Sequence, residues 1–286
     1  MKIDLDKIKK EKPIEDLIRF GIINIDKPNG PTSFSVSDYV RRSLCINKTS
    51  HAGTLDPIVS GVLPIMLGRA CRLSDYLMHR DKKYVGIMRL HEDIPDIRLD
   101  EVIKKFIGKI KQLPPVRSRV KRAERVREIK TFKILERNGK DVLFETEVQA
   151  GTYIRKLCDD IGKETGGAHM LELRRTKAGM FDEKESKNMY DFEEAVKELN
   201  AGNENKLRSM IIPAEVIGSV LGVVELKPEY IIKYHTGSPL FRHFLKNKTT
   251  LPEGENIACF AEGRFIGCYK IVNEEEVWAV PEFIFN

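Results

Sequence analysis

The sequence predicts an α+β protein of two domains: a larger one that mixes helices with strands, and a small, mostly β one that follows it. Apolar residues recur at helical spacing in several separate stretches, most clearly at Leu99, Val102, Ile103, Phe106, Ile107 and Ile110. Asn138-Gly139 joins the runs Ile129 to Leu135 and Val142 to Gln149 and reads as a hairpin, because Asn-Gly supplies the positive φ values of a type I′ turn. Beyond Pro213 the chain changes to short β-like runs, Ile257 to Phe260, Phe265 to Ile271 and Val277 to Val280, broken by Gly and Pro. With 286 residues, the expected division is 1–213, including an N-terminal extension 1–20, and 214–286.

In chain order, Pro13 opens a short helix with Ile14, Leu17 and Ile18 on one face and Gly21 as its stop. Ile22 to Ile25 is a compact strand, Lys27 to Pro31 a turn, and Ser33 a cap for a helix carrying Val36, Val40 and Leu44. After the loop His51-Ala52-Gly53-Thr54-Leu55-Asp56-Pro57 come a strand from Val62 to Leu67, a helical stripe Ala70, Leu73, Leu77 and a strand from Lys83 to Leu90 bearing Tyr84. The long helix that begins near Leu99 ends at Pro114-Pro115. Arg117, Arg119, Lys121, Arg122, Arg125, Arg127 and Lys130 then crowd a segment whose only acids are Glu124 and Glu128. Past Gly151 a helix buries Ile154, Leu157, Cys158 and Ile161 and leaves Arg155 off that face. Phe192, Ala195, Val196 and Leu199 mark another helix, and Asn200 to Lys206 reads as a polar linker.

Composition narrows the function classes. Hydrophobic content of 41% with 32% charged residues describes a soluble globular chain, and no apolar stretch is long enough for a membrane span. The charged stretch from Lys2 to Lys12 holds no apolar signal core. Cys45, Cys71, Cys158, Cys259 and Cys268 are odd in number and widely spaced, which argues against a disulfide framework or a zinc site and fits a reducing cytoplasm. The net charge of +6 suits a polyanionic partner, and the basic segment says where it would touch. Gly162-Lys163-Glu164-Thr165 is not a phosphate loop, since that motif needs Gly at 157 and Ser or Thr at 164, where this chain has Leu157 and Glu164.

Asp56 sits on a glycine-containing loop between two apolar segments, a common place for a scaffold to present chemistry, although Asp-Pro alone usually marks a turn. The stretch HAGTLDPIVSGVLPIML from His51 to Leu67 resembles the signature of the TruB/dyskerin family of RNA pseudouridine synthases. Three further stretches resemble that family in the same order: Asn24 to Ser33, Gly151-Thr152-Tyr153-Ile154-Arg155, and Gly167-Ala168-His169-Met170 running into Leu173-Arg174-Arg175. The resemblance covers about Pro13 to Pro213, and the segment Lys12 to Ile18 is similar to the archaeal, dyskerin-like branch. Ser50 departs from the pattern, standing where the family usually has Gly before His51, and Arg119 stands in place of a usual small residue.

The resemblance implies a catalytic domain around a mixed, largely antiparallel sheet, followed by a PUA-like domain whose usual Gly-Ala pattern is poorly matched by Gly237-Ser238-Pro239-Leu240. It implies isomerisation of uridine to pseudouridine at position 55 of tRNA and, with H/ACA guide RNA and small accessory proteins, in rRNA. That reaction exchanges an N1–C1′ bond for a C5–C1′ bond with no net redox change, so no cofactor and no metal are expected. It needs an ionised carboxylate beside the sugar, and Asp56 supplies it, with Arg155 as the cation that keeps it charged. Tyr84 would stack on the flipped uracil, with His51, Tyr153, Leu173 and Lys27 around the nucleotide. Arg117, Arg119, Lys121, Arg122, Arg125 and Arg127 would contact phosphates. Two other classes are weaker. A non-catalytic RNA-binding scaffold needs no Asp–Arg pair, and an aspartyl phosphotransferase would show a second acid for Mg²⁺, yet none lies within five residues of Asp56.

Overall fold

In the computed structural model of the chain, residues 3–114 and 122–286 are described. The larger sheet contains β1 (Gly21–Lys27), β2 (Thr49–His51), β3 (Val59–Leu67), β4 (Lys82–Leu90), β5 (Gly108–Gln112), β6 (Arg125–Asn138), β7 (Asp141–Val148), β8 (Ala168–Ala178), β9 (Phe181–Asp182) and β10 (Ile211–Pro213). Its order is β10-β1-β3-β8-β4-β7-β6-β5, with β2 beside β3 and β9 beside β8. Every pairing is antiparallel except β3 with β8, so the sheet is mixed and largely antiparallel, as the resemblance implies. The helices are α1 (Leu5–Glu11), α2 (Ile14–Arg19), α3 (Ser33–Ser43), α4 (Ser74–Met78), α5 (Asp96–Phe106), α6 (Ile154–Glu164), α7 (Met189–Asn200), α8 (Asn205–Met210) and α9 (Ile231–His235). A second sheet, ordered β11-β13-β14-β15-β12, is built from β11 (Gly222–Glu225), β12 (Leu240–Phe241), β13 (Asn256–Ala261), β14 (Arg264–Ile271) and β15 (Val277–Ile284).

The one parallel contact decides where the site lies. It sets Val59 beside Leu173 and Gly61 beside Arg175, while β4 on the other side of β8 places Gly86 beside Leu173 and Tyr84 beside Arg175. Gly61 is held at φ +103, and a Cβ there would stand 2.2 Å from the Arg175 carbonyl oxygen, so only glycine lets the two strands close at this point.

Several local expectations are corrected. The helical stripe beginning at Leu99 does not reach Ile110: Ile107 is extended at φ −76, ψ 132, and residues 108–112 pair with β6 instead. Cross-strand pairing wins because it gives the outer edge of β6 a partner and buries Gln112. The turn between β6 and β7 is also different. Asn138 pairs with Asp141, so the two-residue loop is Gly139-Lys140, with positive φ at Gly139 only, the arrangement of a type II′ turn. Thr32, not Ser33, caps α3 by accepting from the Ser35 amide. Asn200 to Lys206 is no linker but the turn between α7 and α8, because Leu207 and Met210 must reach the core. The run of basic residues is in part a strand, since β6 already begins at Arg125.

Two cores meet near residue 213. One gathers Ile23, Ile25, Leu63, Ile65, Phe144, Leu157 and Phe192 around the larger sheet. The other joins Phe20, Ile22, Val62 and Met66 to Phe260, Phe265 and Phe283 of the second sheet, with the Phe20 and Phe265 rings stacked at 5.2 Å. The C-terminal sheet therefore shares buried surface with the first strands of the chain. Among the described residues no helix is long and apolar enough to cross a membrane.

Candidate active site

Asp56 and Arg155 meet although 99 residues separate them: Arg155 Nη2 donates to Asp56 Oδ2 at 2.5 Å. Their side chains are 52% and 47% exposed. An ion pair so open contributes about 0–1 kcal/mol to stability, so the fold gains little by bringing the two together. What it creates is a carboxylate on the surface with a guanidinium already aimed at it.

The loop that carries Asp56 is held on both flanks. Ser33 uses its hydroxyl twice, accepting from the Leu55 amide at 2.8 Å and donating to the Leu55 carbonyl at 2.9 Å. Lys27 is fully buried, and its ammonium donates to the carbonyls of Pro28 at 2.8 Å and Pro57 at 3.1 Å. The Gly30 amide donates to the same Pro57 oxygen at 2.9 Å. Burial depresses the Lys27 pKa, while nearby Asp56 favours its charged form. The sequence predicted Lys27 as a substrate contact. The structure places it under the loop, with no exposed surface and its ammonium on backbone carbonyls.

Arg155 is aimed by a second set of bonds. Tyr153 caps α6, and its amide and carbonyl are both engaged by the Gln112 side chain, at 3.0 and 3.2 Å. Arg127 Nε donates to the Gly151 carbonyl at 3.1 Å, fixing the turn just before that cap. Arg127 thus braces the approach to α6 as well as adding positive charge.

Tyr84 and Leu173 lie near the Asp56 loop at the β3–β8–β4 junction, with 8% and 7% exposure. Tyr153 is half-buried at the start of α6. His51 ends β2; burial first and then the Arg175 charge lower its pKa, and its Nδ1 is buried without a hydrogen-bond partner. The imidazole is therefore neutral near pH 7. Ser50 takes the family glycine's place without a positive φ, and its hydroxyl meets that of Ser74 at 2.6 Å.

Arg122 is exposed ahead of β6, and Arg125 and Arg127 are half-buried on it. Arg117, Arg119 and Lys121 lie outside the described residues. Ser33, Gln112, Arg127 and Arg175 are the supporting residues that sequence reasoning missed in this role. Ser33 ends the Asn24 to Ser33 stretch, Arg127 lies in the basic run and Arg175 closes the Leu173-Arg174-Arg175 stretch, while Gln112 carried no signal. Its neighbour Arg174 makes a bidentate pair with Asp26 at 2.9 and 3.0 Å and also reaches Glu183 at 2.9 Å.

Comparison with known proteins finds three family matches: "TruB family pseudouridylate synthase (N terminal domain)" over residues 41–154, "tRNA pseudouridylate synthase B C-terminal domain" over 155–218, and the "DKCLD (NUC011) domain" over 10–37. The chain is 46% identical over 219 residues to the "Probable tRNA pseudouridine synthase B" of Archaeoglobus fulgidus, covering 76% of this chain and 67% of that protein. Its identity to the protein of the same name from Methanocaldococcus jannaschii is 47%, covering 72% of this chain and 62% of the relative. Among solved structures it resembles a chain of "a Cbf5-Nop10-Gar1 Complex", at 36% identity and TM-score 0.87 over 97% of this chain and 88% of that one. It is also similar to a chain of an "H/ACA RNP bound to a substrate RNA containing 2'-deoxyuridine", at 34% identity and TM-score 0.87 over 97% and 89%.

Proposed function

The chain belongs to the TruB family of pseudouridine synthases, and on that premise we infer that it isomerises uridine to pseudouridine in RNA at Asp56. The observation that carries the assignment of the site is the Asp56–Arg155 contact, which costs the fold an open loop and returns little stability. In the reaction the N1–C1′ bond breaks, the freed uracil turns, C5 bonds to C1′, the C5 proton leaves and N1 gains one. Asp56 acts on the sugar or the base through its carboxylate, with Arg155 paired to it as the RNA excludes water. Tyr84 stacks on the flipped base and Leu173 supplies an apolar wall, with His51 and Tyr153 beside the nucleotide. The reaction calls for no cofactor or metal.

The substrates are the uridine at position 55 in the TΨC arm of tRNA and, in a guided assembly, rRNA uridines. The names of the relatives support the first and the similar complexes the second. Residues 214–286 serve as a PUA-like RNA-binding domain, a reading supported by the five-stranded sheet that follows the catalytic fold. Five free thiols fit work in a reducing cytoplasm. The protein alone is expected to modify a tRNA transcript slowly. Adding an H/ACA guide RNA and small accessory proteins is expected to direct modification to a guide-complementary RNA. Primer extension after carbodiimide treatment maps both products. Full activity on tRNA with no new target from guide RNA would leave a stand-alone tRNA enzyme.

The basic segment supports phosphate binding. Replacing Arg122, Arg125 and Arg127 by Gln is expected to weaken RNA binding and flatten the slope of log K against log salt by about one unit for each phosphate no longer neutralised. Titrations at several salt concentrations check this, and an unchanged slope would leave the segment as a solvated face. Because Arg127 also braces the Gly151 turn, the triple variant should lose some turnover in the bound state as well.

A further inference from the structure

Arg175 is a buried charge that the proposed chemistry does not use. Its side chain is 1% exposed, and no carboxylate pairs with it among the described residues. A cation in such a place stays charged only where oriented dipoles replace water. Its dipoles come from particular places. Nε donates to the Val62 carbonyl at 2.8 Å and Nη2 to the Gly53 carbonyl at 3.0 Å, so one planar fork grips the backbone on both sides of Asp56. Tyr84 is its register partner across β4 and β8, which sets the tyrosine beside the strand position of Arg175. On its other strand edge, Arg175 is the register partner of Gly61, whose missing Cβ permits the approach. His51 and Lys82 also feel this charge: burial is the larger cause of the fall in both pKa values, and Arg175 deepens it.

We propose that Arg175 is a positioning residue for the isomerisation, its guanidinium tying both ends of the Asp56 loop to β8 beside Tyr84 and so fixing the gap in which the flipped uracil is held. The proposal rests on the function inferred above, and it goes beyond that reading by assigning the spacing of carboxylate and tyrosine to one buried side chain. Lysine would keep the charge but could not span the two carbonyls. Methionine would keep much of the volume and lose both.

The test uses the full chain, with tRNA or the guided assembly, whichever supports wild-type turnover. R175K, R175M, Y84F and the R175M/Y84F double variant are compared in single-turnover pseudouridine formation and RNA binding, with folded fraction from circular dichroism and His51 followed by NMR titration. Both Arg175 variants are expected to lose about 100-fold in turnover with RNA affinity held within about threefold. Y84F should cost far less in the R175M background than alone, because the two residues are neighbours across β4 and β8 and act on one gap. The His51 titration should stay low in R175K and rise in R175M. If R175M does not fold, the cycle is run with R175K. Turnover of R175K within about twofold of wild type, equal Y84F penalties in both backgrounds, or a loss that tracks folded fraction would each overturn the proposal. D56N in the same assay separates the two levels. An active D56N removes the functional reading, whereas an inactive D56N beside a fully active R175K removes only the role of Arg175.

Discussion

Asp56→Asn is expected to lower pseudouridine formation by about 10⁴-fold or more, with RNA affinity changed by less than about threefold. The substitution keeps the shape of the side chain and removes its charge, so it separates binding from chemistry. The loop should survive it. Leu55 remains fixed by Ser33, Pro57 by Lys27 and the Gly30 amide, and none of these bonds uses the Asp56 side chain. Stability should barely move either, since the broken ion pair is half exposed and contributes about 0–1 kcal/mol. Single-turnover assays beside filter-binding and thermal-melting measurements check all three statements. Substantial turnover by pure Asp56→Asn protein would end the carboxylate mechanism.

Arg155→Lys is expected to cost about 100- to 1000-fold in turnover, again with little loss of affinity. A lysine ammonium is a point charge on a flexible stem, and it cannot reproduce the planar donor set that meets Asp56 Oδ2 at 2.5 Å. The α6 cap tells against a purely structural explanation for such a loss, because Gln112 and Arg127 hold the backbone at Tyr153 and Gly151 whichever side chain follows. Turnover rates measured with saturating RNA distinguish the cases. Wild-type rates would return Arg155 to the surface.

The sequence expects Asp56 and Arg155 to meet, and the structure brings them into contact. Asp56 and Arg155 stand in two short, ordered stretches, and both could be named before any contact was known. Their supports could not. Ser33 reaches Leu55 across 22 residues, Gln112 reaches Tyr153 across 41 and Arg175 reaches Gly53 across 122. Bonds from side chain to remote backbone have no period and no spacing rule, so nothing in a linear reading announces them. The buried Lys27 is the converse case. Its motif marked it as important, and only its burial and its two carbonyl partners show that it holds the loop rather than facing outward.

The fold errors have a similar origin. Ile107 and Ile110 continue the helical spacing of α5 by coincidence, and the β5–β6 pairing that overrides it lies in a partner strand beginning at Arg125. Charged residues in that strand hid it, because both faces of a sheet-edge hairpin can meet water there. The shared core between Phe20, Phe265 and Phe283 was likewise hidden, since it joins residues from opposite ends of the chain. The helix stripes and the β-rich segment after Pro213, which depend on neighbours in sequence, were legible.

The most direct test of the central claim is tritium released from C5 of [5-³H]uridine in an RNA substrate, measured with purified wild-type protein in EDTA and with no added cofactor. Forming the C5–C1′ bond expels that hydrogen to water, so release is expected in step with pseudouridine recovered from the digested RNA, with none from Asp56→Asn. Bound RNA that releases no tritium, or release that persists undiminished without the Asp56 carboxylate, would contradict it.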